Sequence, residues 1–187
     1  MEISIKDKNA KEIDDQLSEI NTDLNKIYFL EGLLKNPKPS LEYKRYILEK
    51  ISELNEGRKV YERAARYMLQ KATIEITSKD KMESYLKAAE LYATAGKIED
   101  SEQMFFRAKR ECRPEEQGRI ELAKKNIFIS FAEELERKGK KASASKFYEH
   151  LLKIRLEEPE KQMIKEKLIS IYKALGLFRE IKSIENL

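Results

Sequence analysis

Residues Met82–Cys112, MESYLKAAELYATAGKIEDSEQMFFRAKREC, decide how the chain is read. Tyr85, Ala88, Ala89 and Tyr92 share one face at helical spacing, Gly96 interrupts, and Ile98, Ser101, Phe105 and Ala108 form a second face. An uninterrupted helix would return its stripe near positions 99, 102 and 106; the actual stripe is displaced by about one residue, as a turn requires. A hairpin of this kind cannot bury its apolar stripe alone, so copies of it are expected to stack into a solenoid.

The same displacement recurs twice downstream. After Gly139 the new stripe is Ala144, Phe147, Leu151 and Ile154, and after Gly176 it is Leu177, Ile181 and Ile184. The three glycines are 43 and 37 residues apart, an irregular period. Pro114 and Pro159 fall between them, and this alternation of proline and glycine is the punctuation that consecutive helical hairpins leave.

Upstream the pattern changes. Ile13, Leu17, Ile20, Leu24, Ile27 and Leu34 form a heptad stripe, with Glu31 interrupting the seam, and predict one long helix. Asn36, Pro37, Lys38 and Pro39 read as a loop, followed by Ser40 as an N-cap. Ile47, Ile51, Leu54, Tyr61, Ala65, Met68, Ala72 and Ile76 then run on one seam past Gly57, which predicts a second long helix from Ser40 to Ile76. Asn55 and Glu56 before the glycine equally suit a helix stop. Asp80 and Glu83 have the spacing of a capping box, so the expected boundary lies there: residues 1–77 as a long antiparallel helical hairpin, and 78–187 as a repeat domain. The hairpin would cap the first repeat or make a homodimer.

Composition supports an all-α chain. Val60 is the only valine, and only six glycines and four prolines occur in 187 residues. Lys and Arg number 38 against 34 Asp and Glu, a net charge of +4 that is spread along the chain as solvated helix faces are. Cys112 is alone, which excludes an internal disulfide and suits a reducing cytoplasm. Met1 to Lys11 carries no apolar run of signal-peptide length, and no stretch approaches the ~20 apolar residues of a membrane span.

The unit Met82–Cys112 resembles a tetratricopeptide repeat. The large residue, the large-small pair, the aromatic, the glycine and the small-aromatic-small set of that family fall on Tyr85, Ala88 with Ala89, Tyr92, Gly96, Ser101, Phe105 and Ala108, with Ser101 where alanine is usual. Phe128, Phe131 with Ala132, Leu135, Gly139, Ala144, Tyr148 and Leu151 repeat it; Lys165, Leu168 with Ile169, Tyr172, Gly176, Ile181 and Glu185 form the weakest copy. The resemblance spans about residues 82–187, and the uneven period is similar to the looser tetratricopeptide-like proteins, such as attachment-protein adaptors of membrane fusion. It implies a scaffold or adaptor that holds a peptide or helix of a protein partner against the first helix of each hairpin. By register that surface would comprise Leu86, Glu90, Ala93, Ile129, Glu133, Arg137, Glu166 and Lys173. The lysine and asparagine with which the chaperone-tail receptors of this family clamp a terminal carboxylate are missing at Leu86, Glu90, Ile129 and Glu133, so that subset is not expected.

Constellations for catalysis are weak. His150 is the only histidine, which rules out a metal site with two histidines within the chain, and the glycines are too isolated for a phosphate loop. Glu133, Glu134 and Glu136 read as a solvated face in the absence of a Glu-x-x-His motif. Neither an enzymatic activity nor a cofactor or metal is therefore expected. The alternative to peptide binding rests on two basic clusters, Arg107, Lys109, Arg110 and Arg113, and Arg137, Lys138, Lys140 and Lys141. Both lie at helix C-termini, where cations complement the dipole, and brought together on one edge they would suit RNA or anionic lipid.

Overall fold

The computed structural model describes residues 10–35 and 40–186, and the predicted loop at Asn36 to Pro39 lies outside them. Every regular element among the described residues is helical. The chain divides into two compact units, Met1–Gln117 and Gly118–Leu187.

In the first unit α1 (Ala10–Ser18) and α2 (Asp23–Leu34) precede α3 (Leu41–Gly57), α4 (Tyr61–Ile74), α5 (Ser78–Thr94) and α6 (Ile98–Glu111). Consecutive helices from α2 onward pack on one another. The expected single helix through residues 13–34 is two helices. Thr22 breaks it by leaving helical geometry and accepting a hydrogen bond from the Asn25 amide at 3.3 Å, which caps α2. Of that stripe Ile13, Leu17 and Ile27 are core, and together with Leu30 and Leu33 they bury against Tyr43, Ile47 and Ile51 of α3; Ile20 and Leu34 are partly buried against this cluster, and Leu24 is exposed. Ser40 caps α3 as expected, accepting from the Tyr43 amide at 3.2 Å. At α5 the cap is Thr77 and not Asp80; the Asp80 amide donates to the Thr77 hydroxyl at 3.0 Å.

The second long helix is also corrected. Residues 58–60 form a turn, with Lys59 at φ 61°, the left-handed region. The Val60 amide donates to the Asn55 carbonyl at 2.8 Å and the Lys59 amide to that of Glu56 at 2.8 Å. Gly96 makes the same turn, φ 74°, with Lys97 donating to Tyr92 and Gly96 to Ala93, both at 2.9 Å. Both are the overlapping bonds of a Schellman closure, which satisfy the last carbonyls of the first helix and reverse the chain. The α3–α4 pair is therefore a hairpin like α5–α6. The turn was hidden because Tyr61, Ala65, Met68 and Ala72 continue the apolar stripe of Ile47, Ile51 and Leu54 in phase across it; two further buried positions of α3 are polar, Ser52 at 2% exposure and Asn55 at 0%.

The second unit comprises α7 (Gln117–Arg137), α8 (Lys141–Leu151), α9 (Glu158–Leu175) and α10 (Phe178–Glu185). Gly139 and Gly176 close its two hairpins at φ 71° and 72°, with Lys140 donating to Leu135 and Leu177 to Tyr172. Phe128 meets Phe147 edge to face, 5.5 Å between centroids, which ties α7 to α8. Lysine can hold a left-handed residue only at some cost, whereas glycine holds it freely, and this is why three of the four turns carry glycine.

Candidate partner-binding surfaces

The first helices of the two hairpins in unit one, α3 and α5, flank a groove of about 310 Å³. Met68 of α4 contributes an apolar lining, Ser52 and Ser84 contribute hydroxyls, and carboxylates of both helices line it with Lys71 and Lys87. Lys87 links the helices: it donates to Glu56 on α3 at 2.9 Å and pairs with Glu90 on its own helix at 3.5 Å. Burial works against the charge of Lys87, but the bonds to these two carboxylates prevail and its pKa is raised. Glu75, whose side chain is 4% exposed, is held between Arg45 at 3.0 Å and Lys71 at 3.5 Å.

Unit two repeats this construction at the equivalent register. Lys167 on α9 stands nine residues before its turn glycine, as Lys87 does, and Glu136 stands three before Gly139 as Glu56 does before Lys59. Lys167 pairs with Glu133 at 3.1 Å and Glu136 at 3.4 Å, and donates to the Tyr148 hydroxyl at 3.2 Å. Tyr148 in turn donates to Glu136 at 2.6 Å. Burial opposes the Lys167 charge, yet the Tyr148 and Glu133 bonds raise its pKa. A lysine bridging successive hairpins thus recurs in both units, with its hydrogen-bonded carboxylate 31 residues upstream.

Of the residues predicted to meet a partner, Leu86, Glu90 and Ala93 belong to the first unit and Ile129, Glu133, Arg137, Glu166 and Lys173 to the second. Leu86, Glu90 and Ile129 are half-buried, while Glu133, Arg137, Glu166 and Lys173 are exposed. Ala93 is 2% exposed, so its methyl is core and not surface. Glu133 and Arg137 share one shallow hollow with Glu136 and Lys167. Glu166 accepts from Gln162 at 2.9 Å.

The basic clusters fall in different units. Arg107, Arg110 and Arg113 are exposed and Lys109 is half-buried at the end of α6, while Arg137, Lys138, Lys140 and Lys141 are exposed around the α7–α8 turn. Lys138 is paired with Glu134 one helical turn before it. Lys87, Lys167 and the whole α3 face were missed by sequence reasoning. Aligning the chain on its turn residues would have found both lysines, but the α3 face stays invisible while residues 40–76 are taken as one helix.

Among the described residues no group of three or more His, Cys, Asp or Glu is placed to hold a metal ion, and no helix is long and apolar enough to cross a membrane. No family model matches the chain. No curated protein shows significant similarity to it.

Proposed function

We propose that this chain is a tetratricopeptide-like scaffold that holds a peptide or helix of a partner protein against the first helices of its hairpins, without chemistry of its own. The observation that carries this reading is the groove between α3 and α5, bounded by the first helices of two successive hairpins with identical turn geometry. Surfaces of this kind suit an extended or helical ligand because parallel helix faces present side chains at regular intervals. The burial of the α1 and α2 stripe on α3 supports a capping role for the N-terminal segment in preference to dimerisation. Cys112, a free thiol, suits a reducing compartment, and we place the scaffold in the cytoplasm.

The test is affinity capture from a lysate of the source cells, followed by titration of the captured partner against the native chain and a variant with Glu90, Glu133 and Arg137 replaced by alanine. Weakened binding by the variant supports the first-helix surface. Unchanged affinity for the captured partner would place binding elsewhere on the molecule.

A further inference from the structure

The four hairpin turns share one geometry, so the residues on either side of their left-handed position can be compared. The first three turns carry cations there: Arg58 before Lys59, Lys97 after Gly96, and Lys138 and Lys140 around Gly139. The fourth carries Leu175 and Leu177 around Gly176, and Phe178 opens the helix that follows. Leu175 is 38% exposed, Leu177 37% and Phe178 68%, within a run from 173 to 180 in which every residue is exposed.

Stacking of another hairpin does not cover a tip of this kind. Residues 58–60 stay exposed although α5 packs on α4, and residues 138–141 stay exposed although α9 packs on α8. Three large apolar side chains clustered at the end of a hairpin therefore call for a medium outside the helical stack.

Charge identifies that medium. Lys173, Arg179 and Lys182 surround the tip, against one carboxylate, Glu180. The three cations are exposed, and none of them is ion-paired among the described residues. Lys182 stands one helical turn after Phe178, on the same side of α10, whereas Glu180 acts on the Tyr172 phenol of α9. Leucine and phenylalanine need an apolar phase, and unpaired cations need anions at its rim. An anionic bilayer surface offers both; RNA offers no apolar phase to the two leucines.

We infer that the α9–α10 turn is a membrane-contact tip: Leu175, Leu177 and Phe178 enter the interface of a bilayer while Lys173, Arg179 and Lys182 meet anionic lipid headgroups. A peptide held on the first helices would thereby be brought to a membrane, but the tip needs no such peptide to bind lipid.

The experiment uses the full chain with vesicles of phosphatidylcholine alone and of about three parts phosphatidylcholine to one part phosphatidylserine. The sequence has no tryptophan, so F178W places a single fluorophore at the tip. Its emission is expected to shift to the blue with the anionic vesicles, and added salt should reduce the shift. The native chain should co-sediment with those vesicles, and L177N/F178S and R179Q/K182Q should each bind about tenfold more weakly. All four substituted side chains are exposed, so both variants are expected to fold, and an unchanged circular dichroism spectrum checks this. Absence of vesicle binding, binding without a blue shift, a shift as large with phosphatidylcholine alone, or unaltered binding of either variant would overturn the inference. A blue shift produced without vesicles by raising the protein concentration, or by single-stranded RNA in their place, would assign the tip to a second copy or to nucleic acid and overturn it equally.

Discussion

Ser101 donates its hydroxyl proton to the carbonyl oxygen of Ala89, 2.8 Å away across the second hairpin. The first hairpin has the mirror arrangement: Ser52 on its first helix donates to Ala64 on its second, at 3.0 Å. Both bonds are buried and both join residues 12 apart, so each hairpin is tied across its two helices by one serine, placed on opposite helices. This explains why Ser101 stands where the repeat pattern has alanine. A small side chain is needed for the approach, and serine adds a bond without adding bulk.

Replacing either serine by alanine removes the donor without opening a large cavity, and the expected cost is about 0.5–1.5 kcal/mol each. The two sites share no partner, so the double variant should lose about the sum of the two. Urea denaturation of S52A, S101A and the pair measures this. A double variant no less stable than either single one would show that the hairpins do not close independently.

The two kinds of glycine should respond with opposite signs. Gly57 is helical with nothing within 4 Å of an added methyl, so G57A is expected to stabilise by up to about 1 kcal/mol. Gly96, Gly139 and Gly176 have positive φ, and alanine there should destabilise by about 1 kcal/mol despite equally open surroundings. Lys59 occupies the corresponding site with a side chain, so K59G should raise the thermal midpoint. Thermal unfolding of the five variants decides all of these signs.

Glu75 is the most buried carboxylate in an ion pair among the described residues, and Arg45 supplies its closest cation. Arg45→Met should cost about 1–3 kcal/mol, less than the full loss for a buried pair because Lys71 stays in reach. Chemical denaturation checks the size. An effect below about 0.5 kcal/mol would put Glu75 in the range of an ordinary exposed pair.

Alkaline pH should weaken the fold. Burial first, and then the bond to Glu136, pushes the Tyr148 phenol up to about 12. Tyr46 and Tyr172 are raised for the same first reason, reinforced by Asp14 and Glu149. Each folded value lies above the ordinary 10.0, so the contribution is complete below pH 10 and is lost as pH rises through the folded values. The thermal midpoint followed from pH 9 to 12, with phenolate absorbance recorded in parallel, should fall above pH 10. The fall should be shallower in Y148F.

The all-helical class and three of the four hairpin turns were legible in the sequence, because Gly96, Gly139 and Gly176 each combine a glycine with a displaced apolar stripe. Those signals are local: the turn needs a left-handed residue, and the stripe is a periodicity that any reader of the chain can count. The turn at Lys59 carried neither signal. Its left-handed position holds a lysine, the nearby Gly57 sits inside α3, and the apolar stripe of Ile47, Ile51 and Leu54 runs on in phase into Tyr61, Ala65 and Met68.

By itself, then, the sequence determined that the chain is helical and where glycine reverses it. Only the tertiary structure decided that residues 41–74 are a hairpin, since Ser52 can be buried only because the Ala64 carbonyl faces it from the next helix. The groove between α3 and α5 follows from that turn. Its walls come from helices whose charged groups are separated along the chain, and Lys87 of α5 meets Glu56 of α3 only after the two helices have been brought side by side through α4.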